Sequence, residues 1–174
     1  MGTIPITLIT GIMASGKSSV AQALAQRSPR GVHVRGDLFR RMIVSGRADM
    51  TPDAPPDAEA QLRLRYQLAA QVARTYADAG FDVVVQDVIL GSVLSDVIAL
   101  YAGHPLRLVV LCPTPEVVMA REAGRGKRGY GAWTPQDLDR ALREATPRLG
   151  FWLDTSVLTV EESVEAIQAH FGER

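Results

Sequence analysis

Eight residues, Gly11-Ile12-Met13-Ala14-Ser15-Gly16-Lys17-Ser18, carry the spacing G-x-x-x-x-G-K-S, the pattern of a phosphate-cradling P-loop. Gly11 and Gly16 let the backbone bend until its N–H groups converge on one anion, and Ala14 and Ser15 belong to the same nucleotide-binding set. Lys17 is spaced to reach the β- and γ-phosphates, Ser18 to ligate Mg²⁺ and Ser19 to hydrogen-bond the α-phosphate. The chemistry these types imply is binding of ATP–Mg²⁺ and movement of its terminal phosphoryl group. Two acids stand where a partner for that group would bind. Asp37 follows the short strand pattern Val32-His33-Val34-Arg35 and Gly36, and Asp87 follows Phe81-Asp82-Val83-Val84-Val85-Gln86. A third feature is the glycine-rich basic stretch 123–131. With Arg121 before it, the four cations Arg121, Arg125, Lys127 and Arg128 face the single acid Glu122. Arginines supply bidentate phosphate contacts and glycines supply mobility, so a lid over a nucleotide is expected at about 121–146; an exposed basic loop is the plainer alternative.

These residues need a frame that brings them together, and the hydrophobic pattern provides one. Strand and helix patterns alternate along the whole chain, which predicts an α/β fold with a mostly parallel sheet and a single domain over 1–174. Ile6–Ile9 reads as a buried strand entering the P-loop, and Ser19–Gln26 as the helix leaving it. In such sheets ligands bind beyond the carboxyl ends of strands, which is where Asp37 and Asp87 fall. Asp37 reads either as a general base or as a helix N-cap, and Asp87 either as a Mg²⁺-associated or substrate-facing acid or as a turn residue. The Pro- and Asp-rich segment 45–57 is a long loop. A helix follows over about 58–79, with its apolar face on Leu62, Tyr66, Ala69, Val72, Ala73 and Tyr76; Arg63 and Arg65 read as solvated, with substrate contact as the alternative for each. Thr114-Pro115, Thr134-Pro135-Gln136-Asp137 and Thr159-Val160-Glu161-Glu162 read as capped helix starts, the second helix running to about Ala145. His33 and His170 read as structural.

Composition narrows the classes. Hydrophobic residues make up 47% of the chain, enough for a packed core. Lys+Arg and Asp+Glu are both 19, so there is no global positive field and nucleic acid is not an expected partner. The single cysteine, Cys112, lies in the apolar run 108–112 and reads as a core thiol in a reducing, cytoplasmic setting. No apolar run approaches membrane-spanning length, and the N-terminus lacks the pattern of a signal peptide.

Taken together, the P-loop, Asp37-Leu38-Phe39-Arg40, the basic stretch and Asp154-Thr155-Ser156 make the chain resemble a small P-loop kinase of the nucleoside-monophosphate-kinase-like group, an AAA-type small ATPase domain. That group includes gluconate and shikimate kinases, zeta toxins and chloramphenicol phosphotransferases. The resemblance implies a three-layer fold with five parallel strands in the order 2-3-1-4-5. It implies that Asp37 faces the acceptor hydroxyl, that Arg40 helps to hold the acceptor, that Arg121 and Arg125 act as lid arginines with Arg128 beside them, and that Thr155 belongs to a loop packing on adenine. Residues 84–91 look most like the chloramphenicol phosphotransferases, with Gln86 where those relatives carry a second acid. The activity implied is transfer of the ATP γ-phosphoryl group to a hydroxyl of a small molecule, catalysed through Lys17, Asp37 and Arg125. The alternatives are a polynucleotide 5′-hydroxyl kinase, a zeta-like sugar-nucleotide kinase and a non-catalytic ATP-binding module. No guanine-reading N-K-x-D-like motif is present to support a GTPase.

Overall fold

The central strand, β1 (Ile6–Thr10), is buried at every position. It is flanked on one side by β3 (Asp82–Gln86) and then β2 (Gly31–Arg35), and on the other by β4 (Leu106–Leu111) and then β5 (Phe151–Leu153). The order is therefore β2-β3-β1-β4-β5, and every pairing is parallel, as expected. The computed structural model describes residues 4–124 and 132–172. A parallel sheet must be covered on both faces, and the inner strands accordingly read as continuous apolar runs.

The two-residue period of these strands separates two cores. Ile6, Leu8, Val83, Val85, Leu108 and Val110 face one way, towards α3 (Pro56–Asp78), α4 (Val93–Ala99) and α5 (Pro115–Ala123). Ile9, Val84, Val109 and Leu111 face the other way, towards α1 (Lys17–Gln26) and α7 (Val160–Phe171). On α3 the buried stripe is Tyr66, Ala69, Ala70, Ala73 and Ala77; these small residues let the helix lie close on the sheet. Tyr76, expected on that face, sits at its rim at 43% exposure and meets Phe81 edge-on. The helix also starts earlier than expected, because Pro56 occupies its first turn, where a missing N–H costs nothing.

The helix expected from Pro135 to Ala145 changes character midway. It is α-helical as α6 (Pro135–Arg140) and continues as a π turn over Ala141–Ala145. There Arg143 reaches the carbonyls of Cys112 and Pro113 while holding Asp139, and the Thr146 hydroxyl bonds Ala141. These side-chain bonds, which periodicity does not reveal, accompany the wider turn. Capping boxes form at Thr134/Asp137 and Thr159/Glu162 as expected, but Thr114 makes no side-chain cap and its N–H bonds instead to Ser156 Oγ. Cys112 is buried, and desolvation raises its thiol pKa, in keeping with a core residue. No helix among the described residues is long and apolar enough to cross a membrane.

Candidate active site

The chain leaves β1 at Thr10 and turns through residues 11–16 into α1. Gly11 holds φ +149°, and a Cβ there would lie 2.5 Å from the Leu111 carbonyl oxygen, so the loop needs glycine to pass the neighbouring strand. Ala14 holds φ +60°, an uncommon conformation for a residue with a Cβ and a sign of strain kept for function. Gly16 occupies the N-cap of α1, where no side chain caps the helix, so the first-turn amides remain available to an anion. Lys17 is 7% exposed, and its Nζ donates to the Ile12 carbonyl at 2.6 Å, which folds the ammonium over the loop. Ser18 is half-buried in that first turn, and Ser19 is exposed.

Beside the loop opens a cavity of about 500 Å³, lined among others by Ala14, Ser15, Ser19, Arg121, Thr155 and Val160. Arg121 bridges its walls by donating to the carbonyls of Ser15 (3.3 Å) and Thr155 (2.9 Å). The hydroxyls of Ser15 and Thr155 are both buried without a hydrogen-bond partner among the described residues. A buried hydroxyl left unpaired is costly, so two of them bordering one cavity indicate a polar ligand there. A nucleoside phosphate fits this donor set. Among the described residues no cluster of three His, Cys, Asp or Glu side chains is arranged to hold a metal. A Mg²⁺ ion held through Ser18 and the phosphates themselves suits such a site, because Mg²⁺ rarely relies on an all-protein cage.

The second half of the site lies where β2 and β3 end. Their register pairs Arg35 with Gln86, which sets Gly36 beside Asp87 and Asp37 one residue further on. The contact is so close that a Cβ on Gly36 would collide with the Asp87 carboxylate. Asp37 is the first residue of α2 (Asp37–Arg41), and no side chain caps that helix, so the N-cap alternative does not hold. Its Oδ2 accepts from Arg41 at 2.9 Å and its Oδ1 lies 3.8 Å from Arg35 Nε, yet Oδ1 is buried with no hydrogen-bond partner among the described residues. Asp87, 3% exposed, is bound edge-on by Arg65 and also accepts the Val88 N–H at 2.7 Å. Against the expectation of a solvated Arg65, only 14% of its side chain is exposed, and burial lowers its pKa. The signal was present in the spacing: Arg65 lies three residues after Leu62 and four before Ala69, on the packed face of α3. What periodicity lacked was the buried acid opposite.

Arg40 pairs with Asp49, which Arg47 also approaches at 3.7 Å. With Gln61, which holds the Gly46 carbonyl and the Ala48 N–H at 2.8 Å each, this pair ties the loop before α3 onto the two helices. Arg63 is exposed, as expected. The structure thus brings Lys17, Ser15, Arg121 and Thr155 together on one side, and Asp37, Arg40 and Asp87 on the other. Arg125 and Arg128, and with them the middle of the expected lid, lie outside the described residues.

A parallel sheet in the order β2-β3-β1-β4-β5, with a G-x-x-x-x-G-K-S loop between its central strand and first helix, defines a P-loop nucleotide-binding domain of the small-kinase type. The AAA_33 family (AAA domain) matches residues 6–147, and the chain belongs to it. No curated protein matches in sequence. Solved structures share the fold over nearly their full length. A sugar kinase from Janibacter sp. has a TM-score of 0.71 at 19% identity, over 97% of this chain and 95% of that one. The tunicamycin resistance protein of Deinococcus radiodurans has 0.73 at 19%, over 98% and 97%. The APS kinase of Mycobacterium tuberculosis, solved with AMPPNP and APS, has 0.71 at 18%, over 99% and 100%.

Proposed function

We propose that this chain is an ATP-dependent kinase that transfers the γ-phosphoryl group to a hydroxyl of a small molecule. The observation that carries this reading is Asp37. Its Oδ1 is buried without a hydrogen-bond partner at a strand end, in a domain whose P-loop opens at the carboxyl end of the same parallel sheet. A non-catalytic nucleotide-binding module has no use for such an acceptor; a hydroxyl that must lose its proton does.

ATP–Mg²⁺, when bound, supplies the phosphoryl group and part of the charge that neutralises it. The chain's own residues do the rest. The P-loop amides and the N-terminus of α1 hold the phosphates, and Ser18 offers its hydroxyl to the metal. Lys17 leaves the Ile12 carbonyl for the phosphates, which are a better partner for an ammonium than a neutral oxygen. Arg121 closes the nucleotide cavity, and Arg125 and Arg128 are assigned to the lid by their place in the sequence. Asp37 accepts the hydroxyl proton, and the exposed Arg35 and Arg41 orient its carboxylate. Asp87 anchors Arg65 on the acceptor side, and its Oδ2, with the one partner Arg65, keeps acceptor capacity for a Mg²⁺-bound water or for the acceptor. Positioning and electrostatics account for most of the rate in such chemistry.

The test is ADP release from ATP–Mg²⁺ across a panel of sugars, sugar acids, nucleosides, sugar nucleotides, hydroxylated antibiotics and a 5′-hydroxyl oligonucleotide. Stimulation by a small hydroxylated molecule by orders of magnitude is expected. Stimulation by the oligonucleotide alone transfers the reading to a polynucleotide kinase. ATP binding with no stimulated turnover returns it to a binding module.

A further inference from the structure

Gln86, the last residue of β3, is only 5% exposed, although it is polar and follows three valines. Its carboxamide makes no hydrogen bond among the described residues, yet neither of its polar atoms is sealed from solvent. An amide set this deep without a partner is costly unless its open tip meets water or a ligand.

The neighbours of Gln86 fix its direction. Side chains alternate along a strand, and Val85 packs in the core under α3 while Asp87 meets Arg65 of α3. Val84 packs in the opposite core, with Ile9 and with Val20, Ala21 and Leu24 of α1. Gln86 shares the face of Val84, and its partner on β1 is Ile9, two residues before Gly11 opens the P-loop. One contact sets how far along the strands α1 lies: Gln22 Oε1 meets His33 Nδ1 at 2.9 Å, and His33 is paired with Val84. Because α1 returns from the carboxyl end of β1, one turn back from Gln22 and two residues on from Val84 lead to the same end of the sheet. The two steps are alike in length, about 5.4 Å on the helix and about 6.6 Å on the strand. They arrive at Ser18 on the helix and at Gln86 beneath it. Ser18 Oγ also makes no hydrogen bond among the described residues, to Gln86 or to any other group. Two unpaired polar side chains therefore stand together at the open first turn of α1.

Resting on the kinase reading above, we propose that Gln86 is a positioning residue for the Mg²⁺ of the nucleotide, its Oε1 accepting a hydrogen bond from a water on the ion that Ser18 ligates. Mg²⁺ dehydrates reluctantly and keeps several waters, so a group that holds one of them orients the ion. A neutral amide does this without adding charge. The phosphates then supply the attraction, and the ion enters with the nucleotide rather than ahead of it.

The experiment reads equilibrium binding rather than turnover. AMPPNP is titrated by calorimetry into the full chain, once with saturating Mg²⁺ and once with EDTA, and the ratio of the two affinities measures what the ion adds. Gln86→Leu should lower that ratio about tenfold while the affinity in EDTA stays at the wild-type value. Gln86→Glu should raise the ratio above wild type, because a carboxylate holds the same water more strongly and repels a triphosphate that lacks its ion. An unchanged ratio in Gln86→Leu, or an equal loss of affinity with and without Mg²⁺, contradicts the proposal and leaves the kinase reading in place. Should Gln86→Leu fail to fold, Gln86→Glu decides alone: a ratio no higher than wild type contradicts the proposal. If the wild-type chain does not bind AMPPNP–Mg²⁺ at all, the kinase reading fails and this proposal falls with it.

Discussion

The nucleotide side and the acceptor side of this site are built from different materials. The nucleotide side is mostly backbone: loop amides, the open N-terminus of α1, and carbonyls of Ser15 and Thr155 tied by Arg121. The acceptor side is mostly side chain: paired arginines and aspartates at the ends of β2 and β3, and a further set between α2 and the loop before α3. Backbone geometry can serve any chain that binds the same phosphates, because it depends on few residue identities. Side-chain ion pairs are specific to what they face. On the proposed kinase reading, the contrast assigns specificity to the side-chain half: the backbone half is common equipment, and the ion-paired half faces the acceptor.

This difference can be broken first at Arg65. Arg65→Ala strands the Asp87 carboxylate, 2% exposed in its side chain, and should cost about 3–5 kcal/mol in a urea titration. The double variant Arg65→Gln/Asp87→Asn should regain most of that loss. Equal stability of Arg65→Ala and wild type would mean that the pair is not the anchor of the acceptor side.

A matched pair of glycine substitutions sharpens the contrast. Gly11→Ala forces a Cβ towards the Leu111 carbonyl, and Gly36→Ala forces one into Asp87. Each should destabilise the fold by about 1–3 kcal/mol. Their functional effects should separate: Gly11→Ala weakens nucleotide binding by calorimetry, whereas Gly36→Ala leaves it near normal and lowers acceptor-stimulated turnover. Loss of nucleotide affinity in both would erase the division between the two sides.

Thr155→Val probes the nucleotide side with less force. Its hydroxyl has no partner among the described residues, so removing it should leave the melting temperature unchanged or slightly higher. Nucleotide affinity should fall about fivefold to tenfold if the hydroxyl meets the ligand, a loss on the order of 1 kcal/mol. The smallest effect expected is on acid stability. Asp137 and Glu162 sit in capping boxes, and hydrogen bonds within each box lower their pKa from 3.8 and 4.5. Because the folded values lie below the unfolded ones, this stabilisation is present above those ordinary values and is lost as pH falls through the lowered ones. The melting temperature should therefore be flat near neutrality and decline in acid, and Thr134→Ala with Thr159→Ala should flatten the decline.

The sequence made the nucleotide side legible and the acceptor side only partly so, for the same physical reason. A backbone cradle needs glycines and a lysine at fixed spacing, so Gly11, Gly16 and Lys17 announce it locally. The alternation of strands and helices likewise carried the parallel sheet, because both core faces follow from period-two and helical patterns in β1, β3, β4 and α3. The acceptor side depends on residues far apart in sequence. Arg65 and Asp87 are separated by 22 positions, and nothing local says that an arginine on an alanine-rich helix meets a buried acid. The π turn at Ala141–Ala145 was hidden in the same way, since Arg143 reaches carbonyls about 30 residues away. Asp37 was visible as a strand-end acid, but setting the cap reading aside needed the helix start itself, with Gly36 at the N-cap and no side chain bonded there.

The most direct test of the account is Asp37→Asn, measured for ATP affinity and for acceptor-stimulated turnover in the same preparation. The asparagine keeps the size and can still meet Arg41, but it cannot accept the hydroxyl proton as a carboxylate does. A fall in kcat of about 10²–10⁴-fold with ATP affinity within a few-fold of wild type is the expected result. Near-normal turnover in Asp37→Asn would contradict the base assignment and, with it, the proposed division of the site.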